Sequence, residues 1–194
     1  MFLSSRLDEA IKLASRLHRL QSRNDVLKTP YVSHLMSVAI LIASVTDDED
    51  VIIAGLMHDS LEDVPGYTYE HLVKDCGSRV ADIVRHVSEP LDATKTEDAQ
   101  LPWLTRKEAY LSSLQEGGVE SAIVSAADKI HNTESFLKAF KEEGEPYALR
   151  FKSSIKNRIW FHEKVLSIIE SKLGEEHTLS ILLKETTDKF REVV

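Results

Sequence analysis

A lone cysteine, Cys76, leaves this 194-residue chain unable to close an internal disulfide and predicts a reducing, cytoplasmic setting. Long apolar runs are missing too. The longest, Val51 to Met57, is far too short to cross a bilayer, so no membrane partner is expected. Nor do the first residues read as a secretion signal, because no basic segment precedes the apolar ones and Asp8 and Glu9 interrupt early. Basic side chains are in deficit, 24 against 32 acidic, for a net charge of −8. Such a surface repels nucleic-acid phosphates and predicts no nucleic-acid partner. A small phosphorylated ligand stays open, since a cation and a few local bases can reverse the potential.

Period-2 alternation is also absent over any length that would define a strand. Helical periodicity fills the chain instead. Leu7 to Leu20 places Leu7, Ile11, Ala14 and Leu17 on one stripe. After a loop with Asn24, Asp25 and Thr29-Pro30, a second helix is predicted over Tyr31 to Val45. Asp47 or Asp48 caps a third, Val51 to Asp63, which Pro65-Gly66 ends. Shorter helices are expected at Tyr69 to Asp75 and Ser78 to Val87, then a polar functional loop over Ser88 to Leu101. Helices resume at Thr105 to Gln115, Val119 to Phe140, Pro146 to Leu173 and Glu176 to Arg191. The expected fold is all-α, one helical bundle over residues 1–194, with a core at about 7–169 and the last helix packed on it.

The third helix carries the chemistry. Val51 to Met57 is apolar on every side, the mark of a core helix. It nevertheless runs into His58-Asp59-Ser60-Leu61-Glu62-Asp63. At about 100° per residue, His58, Asp59, Glu62 and Asp63 share an arc of about 140°. Carboxylates at a helix C-terminus oppose the macrodipole, and burying them unpaired costs far more. A divalent cation removes both objections. His34, just after Thr29-Pro30-Tyr31, and Asp128, behind two alanines, can complete a mixed nitrogen and oxygen set suited to Mn²⁺, Fe²⁺ or Zn²⁺. Asn132, at i+4, shares the face of Asp128.

The order His34, His58-Asp59, Asp128 resembles the H…HD…D signature of HD-domain phosphohydrolases. Tyr31-Val-Ser-His34, His58-Asp-Ser-Leu-Glu-Asp63 and Ala127-Asp128-Lys-Ile-His-Asn132 are similar to the hydrolase half of RelA/SpoT-type enzymes and to stand-alone small alarmone hydrolases. The resemblance spans roughly residues 7–169. It implies removal of the 3′-pyrophosphate of (p)ppGpp with one bound Mn²⁺, with Fe²⁺, Zn²⁺ or Mg²⁺ as alternatives. It implies His34, His58, Asp59 and Asp128 as ligands, and Glu62 and Asp63 as the pair acting on water. Arg23, Tyr31 and Asn132 are implied as substrate contacts, and Arg106 and Lys107 as nearby basic ones. The family's H-x-G-Q-x-R-K segment reads here His18-Arg-Leu20-Gln21-Ser-Arg23-Asn24, with leucine for glycine and asparagine for a lysine that would meet the pyrophosphate. Trp103 stands where another base is common. That lost charge keeps open a different nucleotide or dinucleotide, such as NADPH, and a non-catalytic nucleotide-sensing module is the third reading. His86 is the candidate for a second metal, the other histidines are expected to be surface or structural, and a homo-oligomer is compatible with the sequence.

Overall fold

The computed structural model describes residues 3–90, 101–151 and 153–193; most of the anticipated loop at 88–101 therefore lies outside the described residues. Eleven helices follow one another among them: α1 Ser5–Leu17, α2 Val32–Ala43, α3 Glu49–Met57, α4 Ser60–Asp63, α5 Tyr69–Cys76, α6 Ser78–His86, α7 Trp103–Glu116, α8 Val119–Glu143, α9 Glu145–Ala148, α10 Ile155–Leu173 and α11 Thr178–Val193. The only β pairing among the described residues is an isolated bridge from Ser22 to Pro30. No described helix is long and apolar enough to cross a membrane.

The long α8 is the axis, with α2, α3, α10 and α11 packed against it. Its Ala122, Ala126 and Ala127 are fully buried, and such small side chains let neighbouring backbones approach closely. α3 is enclosed, every residue from Val51 to Met57 being buried. Asp48 caps its start by accepting the Asp50 N–H at 3.0 Å. Gly55 is a packing device. A Cβ there would run into Ile42 Cδ1 of α2, so glycine sets how closely α2 and α3 close. Beside the main core, Phe136, Ala139, Tyr147 and Phe190 form a smaller cluster under α11.

Two long helices read from the sequence are broken. The span Val51 to Asp63 divides at His58-Asp59, where Asp59 has φ −91° and ψ 0°, between the helical and extended regions. The Asp63 N–H then returns to the Asp59 carbonyl at 2.8 Å and starts α4. Glu62 and Asp63 thus lie in the single turn of α4 and not on a continuous helix running from Val51. The span Pro146 to Leu173 divides because Ser154 starts α10, its Oγ accepting the Asn157 N–H at 3.2 Å.

Candidate active site

Three separate parts of the chain meet at the centre of the bundle. His34 comes from the first turn of α2, His58 and Asp59 from the break after α3, and Asp128 from the middle of α8. His34 Nε2 and His58 Nε2 lie 3.3 Å apart. Asp59 Oδ2 stands 3.1 Å from His58 Nε2 and 3.6 Å from His34 Nε2, and Asp128 Oδ1 stands 3.4 and 3.2 Å from the same two nitrogens. Atoms bound to one cation at about 2.0–2.2 Å stand about 3.0–3.5 Å from one another. The donor set and its spacing therefore fit a divalent metal ion. His34, His58 and Asp59 present donor atoms that all lie within 4.8 Å of one another, and Asp128 meets the two imidazoles from α8.

The groups behind these four fix their orientation. His58 Nδ1–H donates to the Gly55 carbonyl at 2.9 Å, which turns the Nε2 lone pair inward. His34 Nδ1 lies 2.8 Å from His131 Nδ1. When His34 Nε2 presents its lone pair, His34 Nδ1 carries the proton and His131 accepts it. Burial, with His34 and Arg23 adding to it, lowers the His131 pKa to about 4, so His131 is neutral and able to accept. Tyr31 Oη donates to Asp59 Oδ2 at 2.6 Å. Lys129 Nζ donates to Asp128 Oδ2 at 2.6 Å, and Asn132 donates to Asp128 Oδ1.

The cluster is electrostatically tense. Burial alone would lower the His58 pKa, but Asp59 and Asp128 overrule it and hold the imidazole well above its usual value. Burial would raise Asp128, yet the Lys129 ammonium and the two histidines hold it well below the carboxylate range. Glu62 goes the other way. Burial pushes it up to about 8, helped by the charges on Asp59 and Glu89. Burial and Asp59 likewise lift Asp63 to about 6. Glu62 Oε1 accepts the Glu89 N–H at 2.6 Å, which ties α4 to the chain after α6.

A cleft of about 760 Å³ opens beside the cluster, with Arg23, Asn24, Tyr31, Lys107, Lys129 and Asn132 among its lining residues. Arg23 Nη2 donates to Asn132 Oδ1 at 2.7 Å, joining the loop before α2 to α8. Tyr31 contributes its ring to the wall while its hydroxyl is spent on Asp59. Arg106 falls outside the cleft, its Nε donating to Glu89 Oε2 at 2.9 Å. Lys107 also pairs with Glu89, yet lies on the cleft wall with its ammonium 4.5 Å from the Phe161 ring centre. The Glu89 carboxylate draws both bases toward α6, so neither is unpartnered at the cleft. His86 is remote from the cluster and donates Nδ1–H to the Ser113 carbonyl at 3.0 Å.

Sequence reasoning passed over three residues of this neighbourhood. His131 was readable, because it lies three positions after Asp128 and so on the same helix face. Lys129 pairs with its own neighbour, which no periodicity announces. Arg158 sits on the cleft wall from a helix whose start the sequence misplaced.

Helices arranged around a His, His-Asp and Asp cluster define the HD domain, and residues 10–153 match that family. The chain belongs to the HD-domain family. Among its relatives is the protein named guanosine-3′,5′-bis(diphosphate) 3′-pyrophosphohydrolase MESH1 of Xenopus tropicalis, 32% identical over 139 residues, which are 70% of this chain and 72% of that one. The Homo sapiens protein of the same name is 30% identical over 131 residues, 66% of this chain and 68% of its own. A solved structure described as a metazoan ortholog of SpoT that hydrolyzes ppGpp superposes with a TM-score of 0.77, covering 100% of this chain and 99% of that one. At 23% identity that likeness shows the fold.

Proposed function

We propose that this chain is a divalent-cation-dependent hydrolase that removes the 3′-pyrophosphate of (p)ppGpp, residues 1–194 acting as one unit in the cytoplasm. The placing of Asp59 Oδ2 and of Asp128 Oδ1 each 3.1 to 3.6 Å from both His34 Nε2 and His58 Nε2, themselves 3.3 Å apart, carries the reading. Similarity to proteins named for that reaction supports the substrate. The two imidazoles and two carboxylates would hold the cation, and Mn²⁺ suits this mixed set. When bound, it supplies Lewis acidity toward the phosphoryl oxygen and lowers the pKa of an attacking water. Glu62 and Asp63 orient that water and accept its proton. Tyr31 and Lys129 hold Asp59 and Asp128 in register. Arg23 and Asn132 present donors at the near end of the cleft.

Purified protein given Mn²⁺ and ppGpp is expected to release pyrophosphate, and to prefer ppGpp by kcat/KM over a panel of phosphorylated metabolites that includes NADPH. Absence of release from metal-loaded protein, across cations and pH, overturns the substrate.

The support that His131 gives to His34 has its own test. His131→Phe keeps a ring of similar shape but removes the acceptor. Loss of such a partner costs about 10- to 100-fold in metal affinity. Competition against a chelator measures it, and unchanged affinity would show that His131 only fills space.

A further inference from the structure

Arg158, in the first turn of α10, rests among aromatic rings. Its guanidinium carbon stands 4.3 Å from the ring centres of Phe136 and Phe151, and 5.3 Å from that of Phe190. Among the described residues no carboxylate pairs with it, and its Nη1 is buried without a hydrogen-bond acceptor. Burial lowers its pKa to about 10, so at neutral pH it remains charged. Burying an unpaired charge is costly. The three aromatic faces answer part of that cost through their quadrupoles, but they leave the Nη1 donors without an acceptor. A planar guanidinium fork matches the oxygens of a phosphate group.

Its place in the cleft says which phosphate. Phe136, against which the guanidinium rests, lies two turns of α8, about 12 Å, beyond Asp128. His131 and Asn132, which bond to the proposed cation ligands His34 and Asp128, line the same cleft as Arg158. We infer that Arg158 receives a second phosphate group of the substrate, away from the bond that is cleaved, and so selects nucleotides phosphorylated at two separate positions. This rests on reading the site as a nucleotide phosphohydrolase. Of the other bases on that wall, Arg23 bonds to Asn132, Lys107 to Glu89 and Lys129 to Asp128, and Lys138 is exposed to solvent, whereas Arg158 holds a buried donor with no acceptor.

The test compares Mn²⁺-loaded wild type and Arg158→Gln on ppGpp and on the same nucleotide lacking its 5′-phosphates. Hydrogen bonds to charged groups imply a loss of about 10- to 100-fold. The ratio of kcat/KM values for the two substrates is expected to fall by that factor, through KM on ppGpp, with Arg158→Lys recovering part of it. An equal loss on both substrates, or none on either, overturns the inference and leaves Arg158 as a prop for the aromatic cluster. Arg158→Lys keeps the cation in its cage and reads the same discrimination should the glutamine variant fail to fold. GDP titrated calorimetrically into metal-free protein gives a readout apart from turnover. If wild type leaves ppGpp intact while GDP binding weakens in Arg158→Gln, the ppGpp-hydrolase reading fails and Arg158 is retained as a nucleotide-phosphate contact only. If ppGpp is hydrolysed and GDP binds both proteins alike, this one fails alone.

Discussion

Glu62→Gln is expected to lower kcat by about 100- to 10,000-fold, the usual worth of a positioned general base, while the protein keeps its full complement of metal. The substitution is clean. Glutamine retains an oxygen to accept the Glu89 N–H, so the tie between α4 and the chain after α6 survives. Folding is not expected to suffer either. A carboxyl whose pKa is raised in the folded state costs stability above its ordinary pKa. Burial lifts Glu62 to about 8, so removing its ionisable proton raises or preserves the melting temperature near neutral pH. The wild-type rate falls as pH drops and Glu62 is protonated. Cation charge opposes the influence of Asp59, so that acid limb lies below 8 in loaded protein. Steady-state kinetics with elemental analysis decides the matter. A variant that turns over normally, or one that has lost its metal, removes Glu62 from the role of base.

The second large effect is thermal. Without a cation, a proton on His58 and the ammonium of Lys129 are what hold Asp59 and Asp128 together in the core. A dication replaces that makeshift neutralisation. Metal at about 1,000 times its Kd adds about 4 kcal/mol of stability by mass action. For a chain of this size that is a rise of about 8–16 °C in melting temperature. Scanning fluorimetry with Mn²⁺ against a chelator measures it. Because His58 must release its proton to bind, the increment shrinks as pH falls through the raised His58 pKa. Asp128→Ala is expected to abolish the increment. A melting temperature indifferent to divalent cations at every pH would contradict a metal held by these four residues.

The sequence exposed the fold class readily, because the 3.6-residue period is a local property and α1, α2, α6, α8 and α11 all carry it. It also exposed the cluster, since carboxylates directly after the apolar run Val51 to Met57 have no place in a core without compensation. What it hid follows from tertiary causes. The break at Asp59 has no glycine or proline to mark it. It reflects a backbone turn that brings His58 and Asp59 together beside His34. The assignment of Arg106 and Lys107 to Glu89 was equally hidden, because two bases look alike in a sequence whether they face a ligand or a carboxylate 17 or 18 positions away. Arg158 was invisible for the same reason, its meaning lying in rings from α8, α11 and the segment before α10.

Three of the four proposed donors, at 34, 58 and 59, come from α2 and the break after α3, whereas the fourth, at 128, comes from α8 far along the chain. A chain with its helices formed but α8 not yet docked holds only fragments of the centre. Ion uptake would therefore register the docking of α8, and helix content would not. A nascent or proteolysed chain that ends before Asp128 lacks both a donor and the axis against which the others are aligned. Such a piece is expected to take up the ion poorly.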